Sequence, residues 1–146
     1  GPGPYKASTP ALQAQLLASD RPPVISPTHI EDADMERRVG ESIARVCRSE
    51  MEHKAFDAAA ADALNAKLEE IWPQLRNELL RFVVPVEEMR SALATAGGPT
   101  TAAELDLDVG FYREAVRHAR EIRRRYSALD LAADAGLLDQ FAAGEG

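Results

Sequence analysis

The segment Phe111-Tyr-Arg-Glu-Ala-Val-Arg-His-Ala-Arg-Glu-Ile-Arg-Arg-Arg-Tyr-Ser-Ala-Leu-Asp-Leu131 carries the strongest structural signal in the sequence. Its apolar residues recur every three or four positions, which is the spacing of one side of an amphipathic α-helix. That side consists of Tyr112, Ala115, Val116, Ala119, Ile122 and Tyr126. A second side consists of Arg113, Arg117, Arg120 and Arg124. We therefore predict an arginine-rich helix, capped by Asp108, whose apolar side packs on a helical core while the second side stays solvated.

The first third of the chain predicts two helices separated by an extended segment. Thr9-Pro10 is typical of the start of a short helix, and three prolines within residues 20–27 favour extended backbone after it. Thr28-His-Ile-Glu31 matches a capping box, so a long helix is expected to follow as far as about Met51. The apolar side of that helix consists of Met35, Val39, Ile43, Val46, Cys47 and Met51.

The middle of the chain predicts two more helices. Asp57 is expected to cap the first of them, and Pro73 is expected to kink or break it near Trp72, because proline cannot donate a backbone hydrogen bond. The next helix is predicted over residues 86–96, where the Gly97-Gly98 pair ends it.

Two further capping signals lie on either side of the arginine-rich segment. Residues 101–104 (Thr-Ala-Ala-Glu) match a capping box that opens only a turn or two of helix. Ser127 is expected to cap a last short helix over residues 128–135, which Gly136 ends. Residues 142–146 are expected to fray.

The composition favours a single all-α domain. A chain of 146 residues is long enough for one domain, and an aromatic content of 5% with abundant alanine favours closely packed helices. We predict a bundle of five or six crossed helices over residues 5–146, with Trp72 and Tyr126 in or near its core. Residues 1–4 (Gly-Pro-Gly-Pro) resemble the remnant of a cleaved tag or a linker and are left out of the domain.

Charge, hydropathy and cysteine content narrow the classes of partner. A formal net charge of −7 argues against binding of the whole surface to nucleic acid. No apolar run approaches the roughly 20 residues that span a bilayer, and no signal peptide is recognisable, so we expect no membrane association and a cytoplasmic location. Cys47 is the only cysteine, which excludes an internal disulfide and favours a buried structural thiol.

Motifs that would indicate chemistry are sparse. His29, His53 and His118 share no metal-binding spacing, and no glycine-rich phosphate-binding loop occurs. Most carboxylates lie at charge-pairing distances along predicted helices, as Glu50 does four residues before Lys54. These patterns predict no metal site contained within the chain.

The arginine cluster has two interpretations. In the first, it is a solvated basic surface paired with neighbouring acidic helices. In the second, Arg123, Arg125 and His118 face a phosphorylated ligand or another domain. Arginine suits the second role because its planar guanidinium binds two phosphate or carboxylate oxygens at once.

Three stretches of the chain resemble a known family. They are residues 68–75 (Leu-Glu-Glu-Ile-Trp-Pro-Gln-Leu), residues 89–100 (Met-Arg-Ser-Ala-Leu-Ala-Thr-Ala-Gly-Gly-Pro-Thr) and residues 115–131, where His-Ala, Ile-Arg, Arg-Tyr-Ser and Leu-Asp-Leu follow in that order. From about Ala44 onward, over roughly two thirds of its length, the chain resembles the C-terminal helical region of sn-glycerol-1-phosphate dehydrogenases. These enzymes belong to the superfamily of iron-containing alcohol dehydrogenases and dehydroquinate synthases. The resemblance implies the C-terminal helical domain of that fold.

The resemblance also implies a parent oxidoreductase that uses NAD(P) and a divalent metal, zinc, nickel or iron, at a glycerol phosphate carbon. The family binds its metal through one Asp and two His, the second of them followed by Gly. No His-Gly pair occurs in this sequence, and the register places the metal-binding helices upstream of about Thr9. No catalytic, cofactor-binding or metal-binding residue is therefore assigned to this chain.

Two functional hypotheses follow. In the first, the chain is the helical portion of such a dehydrogenase, is inactive by itself, and partners a missing nucleotide-binding domain or subunit. In the second, it is a non-enzymatic helical interaction module that partners a separate catalytic chain. A homo-oligomer is compatible with both hypotheses.

Overall fold

The computed structural model describes residues 4–145, with the backbone alone for residues 4–8, and every regular element in that range is helical. The α-helices are α1 (Pro4–Leu17), α2 (Asp32–Val39), α3 (Glu41–Glu52), α4 (Ala58–Leu80), α5 (Val86–Thr95), α6 (Val109–His118), α7 (Ala128–Asp134) and α8 (Leu138–Gly144). Two 3₁₀ helices, η1 (Ala103–Leu105) and η2 (Ala119–Ile122), lie before and after α6. The all-α prediction is confirmed. The predicted number of five or six helices is wrong, since the described residues form eight α-helices.

The two chain ends fall partly outside the described residues. Of the predicted tag remnant at residues 1–4, only Pro4 is described, and it is the first residue of α1. At the other end Gly146 lies outside the described residues. The predicted fraying of residues 142–146 is wrong for Ala142, which is fully buried within α8.

The predicted long helix over residues 32–51 is divided at Gly40. Gly40 has φ 78° and ψ 158°, a conformation that is essentially restricted to glycine, and it separates α2 from α3. The break changes the direction of α3, so that only part of the predicted apolar side is buried. Ile43 and Val46 are 55% and 61% exposed.

The predicted capping box at residues 28–31 is also wrong. Helix α2 begins at Asp32 with Glu31 in the cap position and no side-chain cap. Thr28 instead joins the proline-rich segment to Phe56, in the loop before α4. Its N–H donates to the Phe56 carbonyl at 2.8 Å, and its Oγ1 accepts from the Phe56 N–H at 2.9 Å.

The arginine-rich helix is shorter than predicted. Helix α6 ends at His118, η2 follows, and residues 123–127 are not helical. The Arg120 carbonyl, which in a continued α-helix would accept from residue 124, accepts instead from the Lys54 ammonium group. Ile122, predicted to be buried, is 66% exposed as a result of this change in backbone path.

Most other helix boundaries agree with the sequence signals. Asp57 accepts from Ala60 N–H at 2.8 Å at the start of α4, and Asp108 accepts from Phe111 N–H at 2.9 Å at the start of α6. The capping box at residues 101–104 forms around η1, with Thr101 and Glu104 bonding to each other's backbone N–H groups. Pro73 does not break α4, which runs through it from Ala58 to Leu80.

Three clusters of buried side chains form the interior of the described residues. The central cluster joins α1, α6, α7 and α8 and contains Leu12, Leu16, Ala102, Tyr112, Val116, Leu129, Ala132, Leu138 and Ala142. A second cluster, around α4 and the end of α1, contains Leu17, Ile25, Ala61, Leu68 and Trp72. The third belongs to α2 and α3 and contains Met35, Ala44, Cys47 and Met51. The predicted burial of Trp72 and Cys47 is confirmed.

Helix α4 holds the chain that leaves α1. Arg76 Nε donates to the Leu17 carbonyl at 2.7 Å, which satisfies an acceptor that the end of α1 leaves unpaired. Asn65 pairs with both backbone groups of Ile25, accepting from its N–H at 2.7 Å and donating to its carbonyl at 2.8 Å. The proline-rich segment therefore has no regular secondary structure and is attached to α4 by specific hydrogen bonds.

Substitution of Gly40 by Ala tests the break between α2 and α3. A Cβ at this position meets no atom within 4 Å, so the cost comes from the backbone conformation alone. We expect Gly40→Ala to lower the free energy of unfolding by about 1–3 kcal/mol, measured by urea denaturation. Gly144→Ala, in α8 and equally free of neighbours, is the control and should leave stability unchanged or raise it by up to about 1 kcal/mol. Equal effects of the two substitutions would contradict the proposed role of the Gly40 conformation.

Candidate functional site

A wide cleft opens between α2, α6, η2 and the turn from α7 to α8. It has a volume of about 1210 Å³. Its charged and histidine side chains are His29, Glu31, Asp34, Arg37, Arg38, Glu114, Arg117, His118, Arg120, Glu121 and Asp139. Phe111, Val39 and Leu138 contribute apolar surface. We take this cleft as the candidate site because it is concave, polar and contains His118, one of the residues selected from the sequence.

Arg38 binds α2 to η2 across the inner end of the cleft. Its two Nη atoms each donate to one carboxylate oxygen of Glu121 at 3.0 Å, and its Nε donates to Asp34 at 2.7 Å. The Arg38 and Glu121 side chains are both largely buried. The paired geometry gives this contact direction as well as strength, so it fixes how α2 sits on η2.

The network of charged side chains continues from Glu121 to His118. Its Nδ1 lies 2.9 Å from Glu121 Oε1, and its Nε2 lies 3.2 Å from Glu114 Oε2. Arg117 then donates to Glu114 at 2.6 Å. Nδ1 of His118 is thus hydrogen-bonded to Glu121, whereas Nε2 lies within ion-pair distance of Glu114 without hydrogen-bond geometry.

Among these charged side chains, Arg117 has the least complete hydrogen bonding. Its Nε lies 3.1 Å from Asp139 Oδ1, but the approach does not have hydrogen-bond geometry. This buried nitrogen is therefore without a hydrogen-bond partner within the described residues.

Neighbouring arginine and histidine side chains lower the pKa of two carboxylates of this charged network, Asp34 and Glu121. Hydrogen bonds from Arg38 and Arg37 lower the pKa of Asp34 to about 2. Burial by itself would raise the pKa of Glu121, but hydrogen bonds from His118 and Arg38 outweigh it and lower the pKa below the usual range. Both carboxylates are therefore ionised at neutral pH, and the positive side chains of the cleft have matched negative partners.

Arg123 and Arg125, the other two residues selected from the sequence, do not join His118 in the cleft. They lie in the exposed loop between η2 and α7, and neither has an ion pair or hydrogen bond within the described residues. The structure thus separates the three candidates into one cleft residue and two loop residues.

The predicted solvated arginine surface is only partly correct. Arg124 is exposed and pairs with Glu50 at 2.7 Å. Arg117 is half-buried, and Arg113 donates to the Glu145 carbonyl at 2.7 Å. The prediction is wrong for Arg120, whose side chain is 12% exposed, because the chain turns inward when α6 gives way to η2.

Behind the cleft lies a buried ion pair between Lys54 and Asp130. Lys54 Nζ lies 2.7 Å from Asp130 Oδ1, and the two side chains are 4% and 2% exposed. Asp130 Oδ2 accepts from the N–H and the hydroxyl of Ser127, each at 2.9 Å. Arg120 Nη1 lies 3.5 Å from Asp130 Oδ1. Each oxygen of Asp130 therefore has more than one partner, as a buried carboxylate requires.

Tyr126 extends this polar network toward α4. Its hydroxyl donates to Asp134 Oδ2 at 2.8 Å, and its ring packs edge-on against Phe56 at 5.4 Å between centroids. Burial and the Asp134 carboxylate raise the pKa of Tyr126 well above its usual range. Tyr126 therefore lies near the core, as predicted, although it is not part of the arginine-rich helix.

Sequence reasoning missed most members of these networks. Asp34 and Arg38 stand four residues apart on a helix, which is a recognisable charge-pairing spacing. Ser127-x-x-Asp130 is a recognisable capping box and forms one at the start of α7. No local signal connects Lys54 with Asp130, and the expected Glu50–Lys54 pair does not form because each residue binds a distant partner.

Two features bear on the expected metal and membrane properties. No group of three or more His, Cys, Asp or Glu side chains within residues 9–145 is arranged to hold a metal ion. None of the described helices combines the length and the apolar character needed to cross a bilayer.

Comparison with protein-family models, with curated proteins and with solved structures gives no match for this chain.

Removal of the Lys54 charge tests the buried ion pair. Lys54→Met leaves the buried Asp130 carboxyl group without its main partner. We expect a loss of about 3–5 kcal/mol in the free energy of unfolding, measured by urea denaturation. The control is Arg45→Met, which removes an exposed pair with Glu41 and should cost well under about 1 kcal/mol. Addition of Asp130→Asn to Lys54→Met should recover part of the lost free energy of unfolding. If Lys54→Met lowers the free energy of unfolding no more than Arg45→Met does, the assignment of a buried ion pair is contradicted.

The lowered pKa of Glu121 predicts an acid-dependent loss of stability. A carboxylate whose folded-state pKa is depressed contributes stability above its unfolded pKa of about 4.3, and this contribution is lost as the pH falls through the folded value. Urea denaturation between about pH 5 and pH 3 should therefore show a shallower loss of stability in Glu121→Gln than in the unsubstituted chain. Glu69→Gln, at an exposed position on α4, should follow the unsubstituted chain. Parallel curves for all three proteins would show that Glu121 does not contribute.

Proposed function

We propose that this chain is the helical portion of an sn-glycerol-1-phosphate dehydrogenase-like, NAD(P)- and metal-dependent oxidoreductase, and that it is catalytically incomplete by itself. In this proposal the nucleotide and the metal are bound by a domain or subunit outside the chain. Because the residues of the described part do not fit a metal site, no catalytic step is assigned to any of them.

The main support for the proposal is the position in the fold of the residues that resemble the dehydrogenase family. Trp72 is buried in the second cluster, while Tyr126, Ser127 and Asp130 connect η2, α7 and the end of α3 through the interior. The resemblance therefore involves side chains that determine how the helices pack.

An apolar surface around the turn from α4 to α5 supports a missing domain or subunit. Leu79, Leu80, Phe82 and Val84 are exposed within six consecutive residues of this turn. They adjoin a groove of about 300 Å³ lined by Thr9, Pro10, Gln13, Phe82, Val84 and Met89. Contiguous apolar surface of this kind is unusual on an isolated domain and is typical of an interface.

The cleft supports this proposal only through the position of His118. Its arginines are held by carboxylates, so it offers matched charges rather than an open anion site. Of the three residues selected from the sequence, His118 alone lies there, and we assign it a positioning role for Glu121 and Glu114.

An activity assay tests the proposal in two steps. The chain alone, with NADH or NADPH, dihydroxyacetone phosphate and added zinc or nickel, should show no turnover above background. Addition of the separately produced nucleotide-binding portion of an sn-glycerol-1-phosphate dehydrogenase should restore turnover. Turnover by the chain alone would refute the claim that it is incomplete, and failure to restore activity or to form a complex would refute the assignment to this family.

A substitution in the apolar groove gives this assay a matched control. Phe82→Asp should abolish the restored turnover, because it places a charge in the proposed contact surface. Val24→Asp replaces another strongly exposed apolar side chain, away from the groove, and should leave the restored turnover unchanged. Equal effects of the two substitutions would argue against this surface as the contact.

The same apolar surface also suits the alternative, a non-enzymatic helical module that partners a separate catalytic chain. The reading frame distinguishes the two. A frame that continues upstream of Gly1 into a nucleotide-binding domain favours the helical portion of one enzyme, and a neighbouring gene that encodes only that domain favours a separate subunit.

A further inference from the structure

Helices α2 and α3 form a hairpin with an apolar interior of its own. Arg48 of α3 pairs with Asp32 and Glu36 of α2, at 2.7 and 3.5 Å, so the two helices lie side by side. The third cluster joins them, and its side chains all come from residues 30–51. Among the described residues, neither of the other two clusters includes a side chain from residues 29–55, which we call the α2–α3 hairpin.

The hairpin is closed at its base, where the chain enters and leaves it. Thr28 and Phe56 are joined by two hydrogen bonds, of 2.8 and 2.9 Å. The Phe56 ring also packs edge-on against Tyr126, so the base is held on the rest of the molecule. Residues 29–31 and 53–55, between this base and the two helices, are not helical and can absorb a change of direction.

Beyond the base, ion pairs attach the hairpin to the rest of the molecule. Arg38 donates to both carboxylate oxygens of Glu121 at 3.0 Å, and Arg124 donates to Glu50 at 2.7 Å. The buried ion pair of Lys54 lies next to the base. A rotation about the base therefore displaces Lys54 little and Arg38 most, because Arg38 lies beside the turn at the far end of the hairpin.

The length of the hairpin gives the scale of such a rotation. Helix α3 has 12 residues, which places the turn at Gly40 about 18 Å from the base. A rotation of about 20° moves a point at that distance by about 6 Å, so a small change of angle separates Arg38 from Glu121. Opening thus breaks this pair and leaves the central and second clusters closed.

The hairpin supplies one wall of the charged cleft. The lining residues between His29 and Val39 belong to it, and those of the opposite wall, such as Glu114 and Asp139, belong to α6 and α8. The width of the cleft therefore depends on the angle of the hairpin.

We propose that the α2–α3 hairpin is a lid that rotates about residues 28 and 56 and so opens and closes the charged cleft, with the Arg38–Glu121 pair as its latch. The structure has the latch closed. A ligand that binds the wider cleft more tightly than the narrow one shifts the lid toward the open form, by an amount set by the difference between the two affinities.

The lid does not depend on the dehydrogenase assignment, because it follows from contacts within the chain. A hairpin that never opens would overturn it without changing the expected outcome of the activity assays. Turnover by the chain alone would refute the dehydrogenase proposal and leave the lid in place.

Labelling of Cys47, the only cysteine, tests the opening in the intact chain. Cys47 is 3% exposed. Burial raises its pKa, and smaller effects of Glu121 and Arg38 on that pKa place the thiol close to the latch. The thiol reagent DTNB should reach it when the lid opens, at a rate that changes little over the lowest urea concentrations, because opening exposes little surface. A rate that follows global unfolding from the lowest urea concentration onward would overturn the proposal.

Two substitutions of arginine by methionine distinguish a moving lid from separation of α2 and α3. Arg38→Met removes the latch and should raise the urea-independent labelling rate about tenfold or more. Arg38→Lys keeps the charge without the paired geometry and should have an intermediate rate. Arg48→Met removes the ion pairs inside the hairpin instead, with the same change of charge, and should raise the rate less than about fivefold. An effect of Arg48→Met equal to or larger than that of Arg38→Met would assign the exposure of Cys47 to separation of the two helices and overturn the lid.

Two spin labels across the cleft measure its width by pulsed electron paramagnetic resonance. In a Cys47→Ala chain, labels at Arg37→Cys and Asp139→Cys occupy exposed positions on opposite walls and should give one main distance. Addition of Arg38→Met should produce a second population that is longer by about 6 Å. Labels at Glu69→Cys and Asp139→Cys, both outside the hairpin, are the control and should keep their distance. An unchanged distance across the cleft in the Arg38→Met chain would overturn the lid.

Discussion

The ion pair between Lys54 and Asp130 is the interaction on which the described fold most depends. It joins the turn after α3, the first turn of α7 and, through the Arg120 carbonyl, the 3₁₀ helix that follows α6. Two opposite charges in the interior are stable only as a pair, so neither residue tolerates replacement alone. The same contact diverts the Arg120 carbonyl from helical pairing, and the exposed loop with Arg123 and Arg125 begins three residues later.

The arginines of this chain fall into two groups with different physical roles. Arg38 and Arg117 lie beside carboxylates of the cleft, where Arg38 joins α2 to η2 and Arg117 links α6 with α8. Arginine suits this purpose because its planar fork meets two oxygens at once and needs less hydration than an ammonium group. Arg123 and Arg125 have no such partners and therefore keep their capacity for contact with another molecule.

Helices α2 and α3 form a nearly separate unit with its own small apolar cluster. Their attachment to the remaining helices is largely polar, through Arg38 with Glu121, Glu50 with Arg124 and Lys54 with Asp130. Polar attachments depend on pH and salt to a degree that apolar packing does not, and the lowered pKa of Glu121 makes this joint sensitive to acid.

The sequence by itself determined the helical class and the helix ends that local chemistry sets. Asp57 and Asp108 cap their helices as their side chains predict, and Gly97 ends α5 with φ 71°. The tertiary structure decided the break at Gly40, the early end of α6, the exposure of Ile43 and Ile122, and the separation of His118 from Arg123 and Arg125. Capping and periodicity act within a few residues, whereas Lys54 and Asp130 are brought together by packing of segments far apart in the chain. Periodicity identifies the apolar side of a helix only while the helix continues, and whether it continues was decided by partners that no local pattern contains.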